Sequence, residues 1–477
     1  MDTLSRARML STLARATGSV VSVNTAAYLH ARRAGQSSGS VRGLHTTSFD
    51  PLDSAIVADP YPAYARLLEG AAVHYNPRRQ LWIVCRYDEV KAAARADDAL
   101  STAQGVTRMR FSLPIILTTD RPEHTRMRRQ ALPGFTRGAL DKWRPRIADL
   151  AAELVGALRS RDSADAVAAL AVPMPVRLIA HILGVPAEDE ADFRRWSNQV
   201  VNVADLGIRP EQLKRSAEVI AGIWALHGYF RTQLQSGRLL EGDNVLSTLN
   251  ATAEAGTITA DELFWFAVFL LVAGNETTTN LLSTMLLSLA ENPDQYELLR
   301  ERPELIPSAV EEQLRFCSPI QGFYRTAINE WTTGGVTIPA GARVLLLFGA
   351  ANRDPRHYPE PHRFNAARNP SDHLGFGSGI HLCLGAALAR MEAQAVLREL
   401  VNTVKHIDWT ATQPGAPTAR YAASPSSQSA SCQADRYTAP PGLGQARAPG
   451  TTLPLQLPGL PHSAFGQDRE PPRDRAV

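Results

Sequence analysis

Cysteine is scarce in this chain: Cys85, Cys317, Cys383 and Cys432 are the four in 477 residues. So few, set so far apart, exclude a disulfide framework and fit a reducing compartment. They also exclude an iron–sulfur cluster and a zinc site built on cysteine pairs. Long apolar runs are missing as well. The longest strongly apolar run, Leu263–Ala273, falls far short of the ~20 residues that a spanning helix needs. Charge of one sign is lacking: the net charge of +3 is too small to argue for nucleic acid. No G-x-G-x-x-G follows a strand pattern, so no flavin or dinucleotide module can be read.

What remains is an ordinary globular composition, 44% hydrophobic and 20% charged. By length alone the chain would hold roughly two to four domains. Residues 1–48 stand apart, with Arg6, Arg8, Arg15, Arg32, Arg33 and Arg42 against one acid, Asp2. An Arg-rich, acid-poor, Ser-rich start reads as a transit peptide; a disordered basic extension or a mis-assigned start are the alternatives. Folding is expected to begin near Phe49. A helix is expected from about Pro60 to Glu69 and a strand in LWIVCRY. Amphipathic patterns over Ala139–Leu158, Val176–Leu183, Glu188–Val203 and Pro210–Gln235 make this half mostly helical.

The strongest helical signal follows Thr259. Thr259 and Glu262 form a capping box, an apolar run continues nearly all round the helix, and Pro293 closes it. Such a helix belongs in the centre of the molecule. One polar patch interrupts it, Gly274-Asn275-Glu276-Thr277-Thr278, where glycine and a back-bonding threonine can open a local bulge. Earlier, Thr119 or Asp120 is placed to cap a helix with Pro122 in its first turn. His124 and Arg128, four apart, share a face of that helix.

The stretch from Phe376 to Arg390, FGSGIHLCLGAALAR, gathers chemistry around one sulfur. Gly377, Gly379 and Gly385 bracket Cys383, and a helix starts just beyond it. Glycine permits turns and close approach of a flat partner. A helix N-terminus favours thiolate over thiol. Read bare, such a cysteine is as simply an inert core residue. The whole pattern, at Phe376, Gly377, Gly379, His381, Cys383, Gly385, Leu388, Ala389 and Arg390, closely resembles the haem-binding loop of the cytochrome P450 family.

That resemblance implies a predominantly α (α+β) cytochrome P450-type fold over 49–409, with a long buried central helix and small β-sheets. It implies haem b with Cys383 as axial thiolate and metal ligand, and places Phe376 and Gly385 against the cofactor. His124, Arg128, Arg325 and His381 would hold the haem propionates. Glu276 and Thr277 would be catalytic, delivering protons during oxygen activation. Glu312 and Arg315 would form a structural brace, with Arg363 as third member and His362 as runner-up. Trp196, Val200, Val203, Leu206, Ile320, Gln321 and Phe323 would border a pocket for a small, largely apolar organic substrate. Electrons would come from a ferredoxin and its reductase, docking near Arg126 and Arg129. The implied protein is a monomer without a membrane anchor, cytoplasmic in a bacterium, or mitochondrial if 1–48 is a transit peptide.

The resemblance ends near Trp409. Eleven of the 32 prolines lie after Gln413, among Ser, Gly and Ala, so 410–477 reads as a disordered tail. The family instead ends in strands. Two other functions follow as alternatives to a monooxygenase: a peroxide-driven peroxygenase, or a haem-binding remnant without turnover.

Overall fold

The computed structural model describes residues 44–108, 110, 112–160, 165–201, 210–252, 258–410 and 429–433. Most of the expected basic extension and tail therefore lies outside the described residues, as do Val203 and Leu206.

Fifteen α-helices are described. The first five are α1 (Ser54–Ala58), α2 (Tyr61–Glu69), α3 (Tyr87–Arg95), α4 (Glu123–Ala131) and α5 (Arg137–Asp141). The next five are α6 (Arg144–Arg159), α7 (Pro173–Ile182), α8 (Glu190–Val201), α9 (Pro210–Gln235) and α10 (Val245–Thr252). The last are α11 (Ala260–Glu291), α12 (Pro293–Glu301), α13 (Ile306–Phe316), α14 (Phe348–Ala351) and α15 (Ala386–Thr403).

The central helix α11 forms as its sequence demands. Thr259 Oγ1 accepts the Glu262 N–H at 3.2 Å, and Glu262 accepts the Thr259 N–H at 2.8 Å. Leu263, Ala267, Leu271, Leu282 and Met285 are buried in one core with residues of α6, α7, α13 and α15. No bulge opens at the polar patch: α11 is α-helical from end to end. Thr277 instead donates to the Ala273 carbonyl, 2.7 Å away, without breaking the ladder.

The strands build three sheets. The large one has the order β1-β2-β3-β8-β5-β4. It comprises β1 (His45–Thr46), β2 (Val73–Asn76), β3 (Leu81–Val84), β4 (Leu100–Ser101), β5 (Phe323–Ala327) and β8 (Arg343–Leu346). Its alternating faces separate two further cores, one under α3 and one under α2. β6 (Trp331–Thr333) pairs with β7 (Val336–Ile338).

Two expectations change at the ends. Order begins before Phe49, because β1 lies in the stretch taken as extension and pairs in parallel with β2. Five residues of the stretch taken as structureless, β10 (Ser429–Gln433), pair antiparallel with β9 (His406–Thr410). The proline-free run between Ser426 and Thr438 is what allows it, since proline cannot donate to a ladder.

Candidate active site

The cysteine loop is pinned to its surroundings by backbone. Cys383 N–H donates to the Phe376 carbonyl at 3.0 Å, and Gly377 N–H to the Leu374 carbonyl at 2.9 Å. Gly379 has φ +74°, and a Cβ there would stand 2.6 Å from the Ala94 carbonyl oxygen of α3. Only glycine serves at that approach. Arg95 of α3 donates to Ser378 Oγ at 3.0 Å.

Protein encloses the Cys383 sulfur, and burial raises its pKa; the Gly385 N–H, Arg128 and Arg390 pull it back down. Yet the side chain is open to solvent. Both hold for a group that lines an internal cleft. Cys85 differs: it is wholly buried among apolar neighbours, its pKa pushed up to about 12. Cys317 sits 3.4 Å from the Tyr61 hydroxyl.

Two adjacent glutamates on α13 brace this loop. Glu311 takes Arg390 from α15 and His373 from the segment before the loop, at 2.6–2.8 Å and 3.1 Å. Arg390 in turn lies over the Phe376 ring, 4.5 Å from its centre. Glu312 and Arg315, both fully buried, pair at 2.8 and 2.9 Å. The third member of that brace is Arg368, whose Nε donates to Glu312 at 3.1 Å. Arg363, the expected member, offers its carbonyl to Arg315 while its side chain reaches Glu360. His362 faces Arg353.

Two histidines and two arginines gather near the sulfur. The rings of His124 on α4 and His381 in the cysteine loop stand 4.5 Å apart, edge to face. Buried nitrogens on both rings, His124 Nε2 and His381 Nδ1, have no hydrogen-bond partner. His381 is driven down to about 3 by burial first, then by Arg325, His124 and Arg128. Arg325 on β5 is buried, and burial pushes its pKa down to about 10. Its Nη1 donates to the neighbouring Tyr324 carbonyl at 3.0 Å. A buried guanidinium held this way is costly until an anion arrives.

On α11, Trp265, Phe269, Ala273 and Thr277 follow each other at four-residue steps and are all half-buried. They share one face, so that face fronts the open cleft. Glu276 points away from it into the core, where burial pushes its carboxyl well above the ordinary range.

A family profile described as Cytochrome P450 matches residues 231–414. The beta-dihydromenaquinone-9 omega-hydroxylase of Mycobacterium tuberculosis is 50% identical over 383 residues, 79% of this chain and 78% of that protein. The chain belongs to the cytochrome P450 family. The vitamin D(3) 25-hydroxylase of Pseudonocardia autotrophica is 37% identical over 74% of the chain and 89% of its own length. Among solved structures, cytochrome P450 CYP109Q5 from Chondromyces apiculatus superposes with a TM-score of 0.72 at 32% identity, covering 81% of this chain and 98% of that one.

As a P450, the chain is a haem-thiolate monooxygenase with a small-molecule substrate and external redox partners, and its cofactor is haem b on a cysteine thiolate. The relatives favour neither the peroxygenase nor the remnant reading. The residues present fit the group. Haem carries two carboxylates, and the orphaned histidine nitrogens with buried Arg325 are what two carboxylates would satisfy. A Cβ added at Gly385 meets nothing within 4 Å, leaving room for a flat ring beside the sulfur.

Other expected residues sit elsewhere. Asp120 does not cap α4 with its side chain. Gln321 is tied to Tyr64 and Ser318. Val200 is core, Trp196 packs on Tyr229, and Phe323 on Phe348. Arg126, expected at a docking surface, is ion-paired with Glu123 and Glu262. Among the described residues, no helix is long and apolar enough to cross a membrane. Sequence reasoning missed Glu311 and Arg368, although the EE doublet and the NAAR run were both visible.

Proposed function

We propose that this P450 hydroxylates the end of a long isoprenoid chain on a lipid-like substrate, drawing electrons from a ferredoxin and its reductase. The observation that carries the substrate class is the 50% identity, over 383 residues, to an omega-hydroxylase of a menaquinone. An apolar approach suits it: Phe269, Val272 and Ala273 all reach the cleft face of α11.

Bound through the Cys383 thiolate, haem supplies the activation of dioxygen and the insertion of one oxygen atom into a C–H bond. The chain's own residues do the rest. The Gly385 N–H steadies negative charge on the sulfur. His124, Arg128, Arg325 and His381 would hold the propionates, and Phe376, whose ring Arg390 covers and whose carbonyl takes the Cys383 N–H, would pack against the cofactor. Thr277 presents its hydroxyl at the cleft face, and Glu276, one residue before it and with its carboxyl pKa pushed up by burial, carries the proton supply from behind. Neither group needs to be replaced for a peroxide route to be avoided: their presence matches two-electron oxygen activation. The working form is a monomer in the bacterial cytoplasm.

The test combines purified protein, ferredoxin, reductase, NADPH and a long-chain menaquinol. A product heavier by one oxygen atom at the tail end is expected, together with a substrate-induced Soret shift. Turnover of short, non-isoprenoid substrates with no shift from the menaquinol would refute the substrate class.

A further inference from the structure

One carboxylate joins three elements that carry the cationic cluster. Asp120 lies in the turn before α4. Its Oδ1 accepts the Thr102 N–H at 2.9 Å and lies 3.1 Å from the Thr102 hydroxyl oxygen, and its Oδ2 accepts the Ser101 hydroxyl. Thr102 Oγ1 also stands 3.2 Å from His381 Nε2 and 3.2 Å from the Thr119 carbonyl. Ser101 ends β4, and its register sets it opposite Thr326, next to Arg325 on β5. Asp120 thus ties the β4 edge, the start of the helix bearing His124 and Arg128, and the loop bearing His381.

We propose that Thr102 and Asp120 are positioning residues for the haem. With the Thr102 hydroxyl hydrogen given to Nε2 of His381, Nδ1 carries the ring hydrogen and would donate it to a haem carboxylate, and Asp120 holds Thr102 through its backbone N–H. Three observations carry this. Thr102 is fully buried, so no water competes for its hydroxyl. His381 Nδ1 is buried without a partner, so the ring is held at one nitrogen with the other left open. Asp120 spends its oxygens on Ser101 and Thr102, where a plain helix cap would spend them on the first N–H groups of α4. An imidazole held at one nitrogen keeps its plane; released, it can turn about its outer side-chain bond. The inference rests on haem binding alone and is independent of the substrate proposed above.

The test uses the full-length holoenzyme and its Thr102→Val and Thr102→Ser variants, without substrate. Two quantities are read: haem transfer to excess apomyoglobin, and the propionate bending bands in resonance Raman spectra. Thr102→Val is expected to release haem about two- to tenfold faster, the worth of one buried hydrogen bond, with shifted propionate bands. Thr102→Ser, which keeps the hydroxyl, is expected to restore both. Wild-type release and unchanged bands in Thr102→Val, or no rescue by serine, would overturn the proposal. Should Thr102→Val not fold, Asp120→Asn keeps the size but loses one acceptor, and unchanged bands in it would overturn the proposal equally. Because no substrate is present, failure of the menaquinol assay leaves these readouts untouched.

Discussion

Glu311 and Arg390 form a two-pronged ion pair, at 2.6 and 2.8 Å, that ties α13 to the first turn of the helix following Cys383. Since Arg390 also covers Phe376, the pair clamps both ends of the cysteine loop.

That clamp should be acid-labile. Burial alone would raise the Glu311 pKa, but Arg390 and His373 outweigh it and hold it at about 2. A carboxyl with a lower pKa folded than unfolded stabilises the fold above its ordinary 4.5 and loses that contribution as pH falls towards 2. The Soret band of the holoenzyme is therefore expected to decay over this window. Glu311→Gln should lose haem faster already at pH 7 and show a flatter acid profile. A pH series of Soret spectra checks both.

The neighbouring brace separates two arginines. Removing Arg315 takes from the buried Glu312 its two-pronged, fully buried partner, so Arg315→Ala is expected to cost about 3–5 kcal/mol and to yield largely haem-free protein. Arg368→Ala should cost less, because Arg368 is only one of the partners of Glu312. Arg363→Ala should stay within about 0.5 kcal/mol, as a surface change does; its side chain is mostly exposed. Urea unfolding midpoints rank the three, and an Arg363 effect as large as that of Arg368 would contradict the assignment.

The same brace shows what a sequence conveys. The capping box, the apolar run of α11 and the glycine-bracketed cysteine were legible because each is a local pattern with a local cause. Glu312 and Arg315 were legible because three-residue spacing puts them on one helix face. Their third partner was not, since Arg363 and Arg368 lie in an irregular segment with no period to orient them. Glu311 was hidden for another reason: a helix turns about 100° per residue, so adjacent glutamates serve different partners, and Arg390 is 79 positions away. Asp120 read as a cap because aspartate before a helix usually is one; the nearby β4 edge took its oxygens instead.

Glu392 on α15 predicts a pH dependence of opposite sign. It is buried, one carboxyl oxygen has no partner, and burial pushes its pKa up to about 8. A carboxyl raised on folding has its full stability below 4.5 and loses it as pH rises towards 8. Glu392→Gln removes the titration. Its urea midpoint should match wild type near pH 4.5 and exceed it at pH 7, by up to roughly 3 kcal/mol. Equal midpoints at both pH values would mean that the carboxyl is neutralised by a partner in solution.

The proton-delivery task proposed for Thr277 and Glu276 would be divided by where they face, and their variants should divide accordingly. Thr277 is half-buried with its hydroxyl bonded to the Ala273 carbonyl, so in the role proposed for it the group would meet reacting atoms without shaping the core. Thr277→Ala should therefore keep the fold, the Soret band and the substrate-induced shift. What it should lose is coupling: NADPH consumption continues while hydroxylated product falls at least about tenfold and peroxide appears, one group's worth of general acid catalysis. Thr277→Ser should recover most of the product. Glu276 sits behind, in the core, so Glu276→Gln leaves the cleft face intact and should slow NADPH consumption and product together. A solvent deuterium isotope effect that rises in Glu276→Gln would mark proton supply as the slowed step. Unimpaired coupling in Thr277→Ala would move the proton-handling role off this helix.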